Sequence, residues 1–214
     1  MKINKKNIMP VVIAITVYLL AYQIPKITVP AYRWHYLNIA LDDLIMLYSP
    51  AILIYIAAFF QWINCMIIVC KQETKLVYRV ASAIMIGSFI GFLTYIIYPT
   101  AIHRPEIIGN SIFDIFLRFI YSVDNVVCAC PSFHCFCSTI VVLALFECEG
   151  IKDITIYINE LFSVLVYIST LLTKQHVIID IPFGILLAFV AMSLSKKIVF
   201  TKLFDFTNEK LKIK

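Results

Sequence analysis

The sequence predicts an all-helical integral membrane protein, a bundle of six transmembrane helices with an interfacial helix in its long outer loop. Three observations predict it. Hydrophobic residues make up 62% of the 214-residue chain and charged ones only 14%, against roughly 25% charged in soluble domains. The mean hydropathy is +0.91. Apolar runs bounded by charge or proline recur at 8–24, 48–70, 77–98, 131–147, 154–173 and 177–196, most of them near the roughly 20 residues that cross about 30 Å of hydrocarbon. Six such runs leave short loops and no room for a separate soluble domain, so residues 1–214 read as one membrane domain ending in a basic tail at 198–214.

The elements follow in chain order. Lys2, Lys5 and Lys6 precede the first run, a signal-peptide layout without a small-residue cleavage site, so Ile8 to Ile24 reads as a retained first span. Tyr32-Arg33-Trp34-His35-Tyr36 reads as an interfacial aromatic belt. Asp42 and Asp43 before the second span read as solvated helix-start acids or as contacts to a polar head group. In the loop 99–133, Ile112, Phe116, Phe119 and Ile120 recur at helical spacing, while Asp114 and Arg118 make an i,i+4 pair on another face. That pattern predicts a helix lying in the interface plane. The apolar residues from Ile154 to Ser195 would make a single helix about 63 Å long, roughly twice the hydrocarbon thickness. The chain must therefore turn, and Thr173-Lys174-Gln175-His176 is the polar break.

Charge orients the bundle, because cytoplasmic loops collect Lys and Arg. With the N-terminus inside, thirteen of the eighteen basic residues fall on inner segments, Lys2 and Lys214 among them. Only Lys26, Arg33, Arg104, Arg118 and Lys174 fall outside. Both termini are thus expected in the cytoplasm of a multi-pass cell-membrane protein. The net charge of +5 needs no nucleic acid to explain it, since the basic residues flank spans. Seven cysteines without the spacing of a disulfide scaffold read as free, buried thiols. Cys128-Ala-Cys130 and Cys135-Phe-Cys137 bracket His134, but a single intervening residue is fewer than the roughly two to four of zinc pairs. No metal or cofactor is expected.

Polar chemistry concentrates at three places on the outer side: Tyr98 to Glu106, Pro131 to His134, and Ser169 to Asp180. An unpaired Asp180 in the sixth span would cost at least a few kcal/mol, and His176 stands at i,i+4 on the same helical face. A carboxylate on one imidazole nitrogen fixes the tautomer and leaves the other nitrogen as a nucleophile. A structural His–Asp bond that caps the span is the alternative reading of the pair. His134 follows Pro131 and Ser132 at a helix start, whose free N–H groups and positive dipole end suit an anion. Arg104 offers a planar fork for phosphate oxygens and Lys174 a point charge. Together these residues describe a phosphoryl site.

Arg104-Pro105, Pro131-Ser132-x-His134, and Ser169 followed by His176 and then Asp180 resemble the three signature motifs of the type 2 phosphatidic acid phosphatase superfamily. The third resembles a bacterial-type branch with Lys-Gln-His-x-x-x-Asp. The resemblance implies a six-span lipid phosphatase with its site on the extracytoplasmic side. In that scheme His176 is the nucleophile, Asp180 orients it, and His134 is the acid and then the base. Arg104, Ser132, Phe133, Lys174 and Ser169 would bind the phosphate, and no metal would take part. Three positions depart from the family pattern: Ile97 and Thr170 stand where cations are usual, and Phe133 where glycine is. Lys174 replaces one of the missing charges. A lipid phosphate, embedded in membrane lipid, is the expected partner. Head-group transfer of the sphingolipid-synthase type, and a transporter with a His/Asp proton relay, are the competing readings.

Overall fold

Backbone groups withdrawn from water must bond within their own segment, and a long apolar run achieves this as a helix. Each of the six runs does so in the computed structural model, which describes residues 3–213. Lys2 and Lys214, counted above among the inner cations, lie outside the described residues. Among the described residues four helices are long and apolar enough to cross a membrane: α1 (Ile8–Thr28), α3 (Ile52–Cys70), α4 (Thr74–Ile97) and α7 (Asp153–Leu172). Between and beyond them lie α2 (Ala40–Leu44), α5 (Ile112–Val123), α6 (Phe133–Phe146), α8 (Asp180–Leu194) and α9 (Thr201–Lys210). Two-residue strands β1 (His35–Tyr36) and β2 (Thr100–Ala101) pair in parallel.

The fourth and sixth runs give shorter helices than expected. With 14 and 15 residues, α6 and α8 extend only about 21–23 Å, short of the roughly 30 Å of hydrocarbon. Both lose residues at each end of the run, and more of them at the start. α6 starts at Ser132, whose Oγ accepts the Cys135 N–H at 3.3 Å, and α8 starts only after a turn through residues 173–179. The turn falls at the polar break, as the length argument requires.

Alternating helix directions gather the chain at two ends. At one, the Asn7 side chain donates to the carbonyls of Cys70 and Gln72 at 3.0 and 2.9 Å, and Arg79 pairs with Glu147. The tail from 198 returns to this end as α9 rather than trailing free. Phe204 is fully buried edge-on against Tyr78, whose hydroxyl donates to Asp205 at 2.8 Å. At the other end, the Tyr48 N–H reaches Leu172 O at 2.9 Å, Tyr95 Oη donates to Pro131 O at 2.6 Å, and the Ser132 N–H reaches Asp180 O at 3.2 Å. The start of α6 is wedged between α4 and α8 through glycines. The Phe133 ring occupies the place of a side chain at Gly91, and a Cβ on Gly184 would meet Ser132 O, Cys135 Cβ and Phe136 N.

The loop 99–133 contains its helix, but the expected Asp114–Arg118 pair is not formed. Asp114 turns back to cap α5, accepting from Ser111 N at 2.9 Å and Ser111 Oγ at 2.6 Å. These bonds, led by the Ser111 hydroxyl, hold its carboxyl below the usual carboxylate range. Arg118 donates instead to the carbonyls of Ile107 and Gly109 at 3.0 and 2.6 Å. Free N–H groups at a helix start compete better for a carboxylate than an exposed cation does.

Because backbone atoms of α6 stand where a Gly184 side chain would go, Gly184→Val should lower stability by about 1–3 kcal/mol. Thermal unfolding in detergent measures it, and an unchanged midpoint would show that the α6–α8 contact is looser than described.

Candidate functional site

The site forms where three polar segments meet at the end shared by the start of α6 and the start of α8. α7 stops at Leu172, and the Thr170 carbonyl then accepts the N–H groups of both Gln175 and His176, at 2.9 and 3.1 Å. This doubled bond folds the chain back, with Lys174 in the left-handed region at φ 50°. The hydroxyls of Ser169 and Thr170 are used inside α7, donating to Val166 O and Tyr167 O at 2.7 Å each.

His176 Nδ1 lies 3.0 Å from Asp180 Oδ2, which also accepts the Val177 N–H at 3.1 Å. The spacing of four was expected to act on one helical face. His176 instead lies in the turn ahead of α8 and Asp180 is that helix's first residue, so the turn closes the pair. Asp180 is completely buried. Accepting at Oδ2, it places the proton on Nδ1 and leaves Nε2 with a free lone pair.

A cavity of about 470 Å³ opens beside His176. Arg104, Lys174 and His103 line it together with Asn38, Asp42 and Asp43. Arg104 is held by Asp124 O at 2.6 Å, Asn125 O at 3.3 Å and Gln175 Oε1, over the Tyr121 ring at 4.6 Å. Its Nε is buried and has no partner among the described residues. Lys174 Nζ donates to Asp42 O at 2.8 Å.

His134 faces His176 with ring centroids 6.1 Å apart and planes inclined at 61°. It does not line the cavity. Tyr55, Phe59 and Trp62 of α3 enclose it at 4.2, 5.7 and 5.3 Å between centroids, and its buried Nε2 has no partner among the described residues. Of the eight residues expected here, Arg104, Lys174 and His176 share the cavity, Asp180 stands behind His176, and His134 lies across from it. Ser132 caps α6 fully buried. The Phe133 ring packs among Tyr18, Tyr22 and Tyr95, so only its backbone N–H can serve an anion. The Ser169 side chain is turned into α7.

Several contributors were not foreseen. Asp42, read as solvated or as a head-group contact, is buried and pins the third segment. Its Oδ1 accepts Ile178 N–H at 2.8 Å and its Oδ2 accepts Ile39 N–H at 2.9 Å. Tyr121 ties α5 to the same segment through Thr173 O at 2.7 Å. The one available signal for Asp42 was an acid before an apolar run with no basic neighbour. His35 and His103 are exposed and stack on Tyr98 and Tyr36 at 4.1 and 4.0 Å. Among the described residues all seven cysteines are free and no His, Cys, Asp or Glu cluster fits a metal ion. Burial pushes the Cys128 thiol up to about 12. Comparison of the chain with models of known protein families, with characterised proteins and with solved structures yields no match.

Asp42→Ala leaves two part-buried N–H groups without their acceptor and should cost about 1 kcal/mol. Hydrogen exchange at Ile39 and Ile178 should accelerate; protection equal to wild type would mean that other acceptors take over.

Proposed function

We propose that this chain is a membrane phosphatase that hydrolyses a lipid phosphate or diphosphate through a phosphohistidine, without a metal. The observation that carries the reading is the meeting of Arg104, Lys174 and an Asp-oriented His176 on one cavity, with a second imidazole 6.1 Å away. His176 Nε2 attacks phosphorus, forming the P–N bond as the P–O bond to the lipid breaks. His134 gives a proton to the departing oxygen, then takes one from the water that cleaves the P–N bond. Its unpartnered Nε2 gains a hydrogen bond in that step. Arg104, Lys174 and the first N–H groups of α6 hold the non-bridging oxygens as charge develops.

In this reading the protein spans the membrane six times with both termini cytoplasmic, and the site opens at the extracytoplasmic face. The shortness of α6 and α8 supports it. Each falls about 8 Å short of the hydrocarbon thickness, and non-helical backbone at membrane depth is tolerated where it is covered by protein or lines a polar cavity. The large apolar residues left exposed on the long helices, such as Leu20, Phe60, Phe89 and Leu161, suit contact with lipid. On α5, Ile112, Ile115, Phe116 and Phe119 are exposed together, which fits a helix lying in the interface. Head-group transfer is the second reading, favoured by one observation: the cavity of about 470 Å³ extends past the cations to Asn38 and Asp43, leaving room for an alcohol acceptor. The buried His and Asp side chains, gathered at one end rather than along a path through the bundle, weigh against a proton-relay transporter.

Purified protein in detergent should release phosphate from a lipid phosphate in excess EDTA, and His176→Ala should abolish the release; activity lost to EDTA would refute the metal-free route. Arg104→Ala should lower kcat/KM by about 100- to 1,000-fold through both kcat and KM. Unchanged kinetics would remove Arg104 from the site.

A further inference from the structure

Arg104 is fixed almost entirely by neutral acceptors: two backbone carbonyls and the Gln175 amide oxygen. Such bonds orient a guanidinium without cancelling its charge. One carboxylate stands nearby, Asp124, with Oδ2 3.7 Å from Arg104 Nη2. That carboxylate is already engaged. Lys26, in the last turn of α1, pairs directly with Oδ1, and the Tyr22 hydroxyl donates to the same oxygen at 3.2 Å. The Lys26 side chain is 6% exposed, lies over the Tyr22 ring at 3.6 Å, and does not line the cavity. Two buried cations therefore share one anion, and the cation facing the cavity holds the looser share.

We propose that Lys26 and Asp124 are positioning residues for Arg104: Asp124 sets the guanidinium in place, and Lys26 occupies the carboxylate that would otherwise neutralise it. The substrate phosphate then meets an oriented cation whose charge is available and whose Nε has no other partner. Lys26 acts from α1, outside the three segments that carry the rest of the site. The inference rests on the phosphate-binding reading above.

The two members of an ordinary structural ion pair fail in the same direction when removed. Here they must differ in sign. Equilibrium binding of radiolabelled inorganic phosphate to the full-length protein in detergent reads the difference without turnover. Lys26→Met frees Asp124 to close on Arg104, and the dissociation constant should rise about tenfold. Asp124→Asn removes the competing charge while keeping the shape and the backbone carbonyl contact, and phosphate should bind severalfold more tightly. The double variant Lys26→Met/Asp124→Asn should return to within about threefold of wild type, and Lys26→Arg should match wild type. Weaker binding in both single variants would reduce the triad to a structural pair and overturn the inference alone. If Lys26→Met does not fold, Asp124→Asn decides by itself: tighter binding supports the proposal and weaker binding overturns it. Wild-type protein that binds no phosphate would overturn the proposed function and this inference with it.

Discussion

A fully buried carboxylate organises this molecule. Asp180 accepts from His176 and from the Val177 N–H through one oxygen, and its own carbonyl accepts the Ser132 N–H at the start of α6. One residue thus sets the tautomer of an imidazole, closes the turn between α7 and α8, and locks that turn to a second helix start. In a chain this apolar an uncompensated carboxylate would be expelled or protonated, so the bonds to Asp180 are a condition of its being there. Gly184 completes the arrangement, because only a residue without a side chain lets α8 lie against the α6 backbone at that point.

The remaining polar groups follow the same rule of pairing before exposure. Asp42 takes two backbone N–H groups, Arg104 takes two carbonyls and an amide, and Lys26 shares Asp124 with Tyr22. These contacts come from segments far apart in the chain. Among the buried polar atoms left without a partner in the described residues are His134 Nε2, across from His176, and Arg104 Nε at the cavity. Cations and unpartnered nitrogens beside an Asp-oriented imidazole are the physical basis of the phosphatase proposal.

The backbone between the long helices is as consequential as the helices. α2 carries Asp42, α5 carries Tyr121 and ends at Asp124, and the turn after α7 carries Lys174 and His176. α5 bonds at one end to Arg104 and at the Thr173 carbonyl to the third segment, so an amphipathic helix braces the two cations of the cavity. The rings of Tyr55, Phe59 and Trp62 then pack against His134 from α3 and leave it buried, facing His176.

Apolar runs and polar breaks determined the all-helical architecture, because a 3.6-residue repeat of local hydrogen bonds needs no distant partner, and the same local logic located the turn at Thr173 to His176. The His176–Asp180 pair was legible for the same reason: four residues of separation is a local distance whether the segment is helix or turn. Helix length was less legible, since α6 starts at the Ser132 cap and α8 only after the turn that the Thr170 carbonyl folds back, and hydropathy registers neither. The Asp114–Arg118 pair was misjudged because spacing cannot weigh a cation against free N–H groups at a helix start. The roles of Asp42, Tyr121, Asp124 and Lys26 were invisible in the chain, as each depends on a partner brought near only by packing. Sequence alone therefore determined the long apolar helices and the candidate site residues; tertiary structure decided which of those residues meet, because burial forces polar groups to find partners wherever the fold, and not the chain, supplies them.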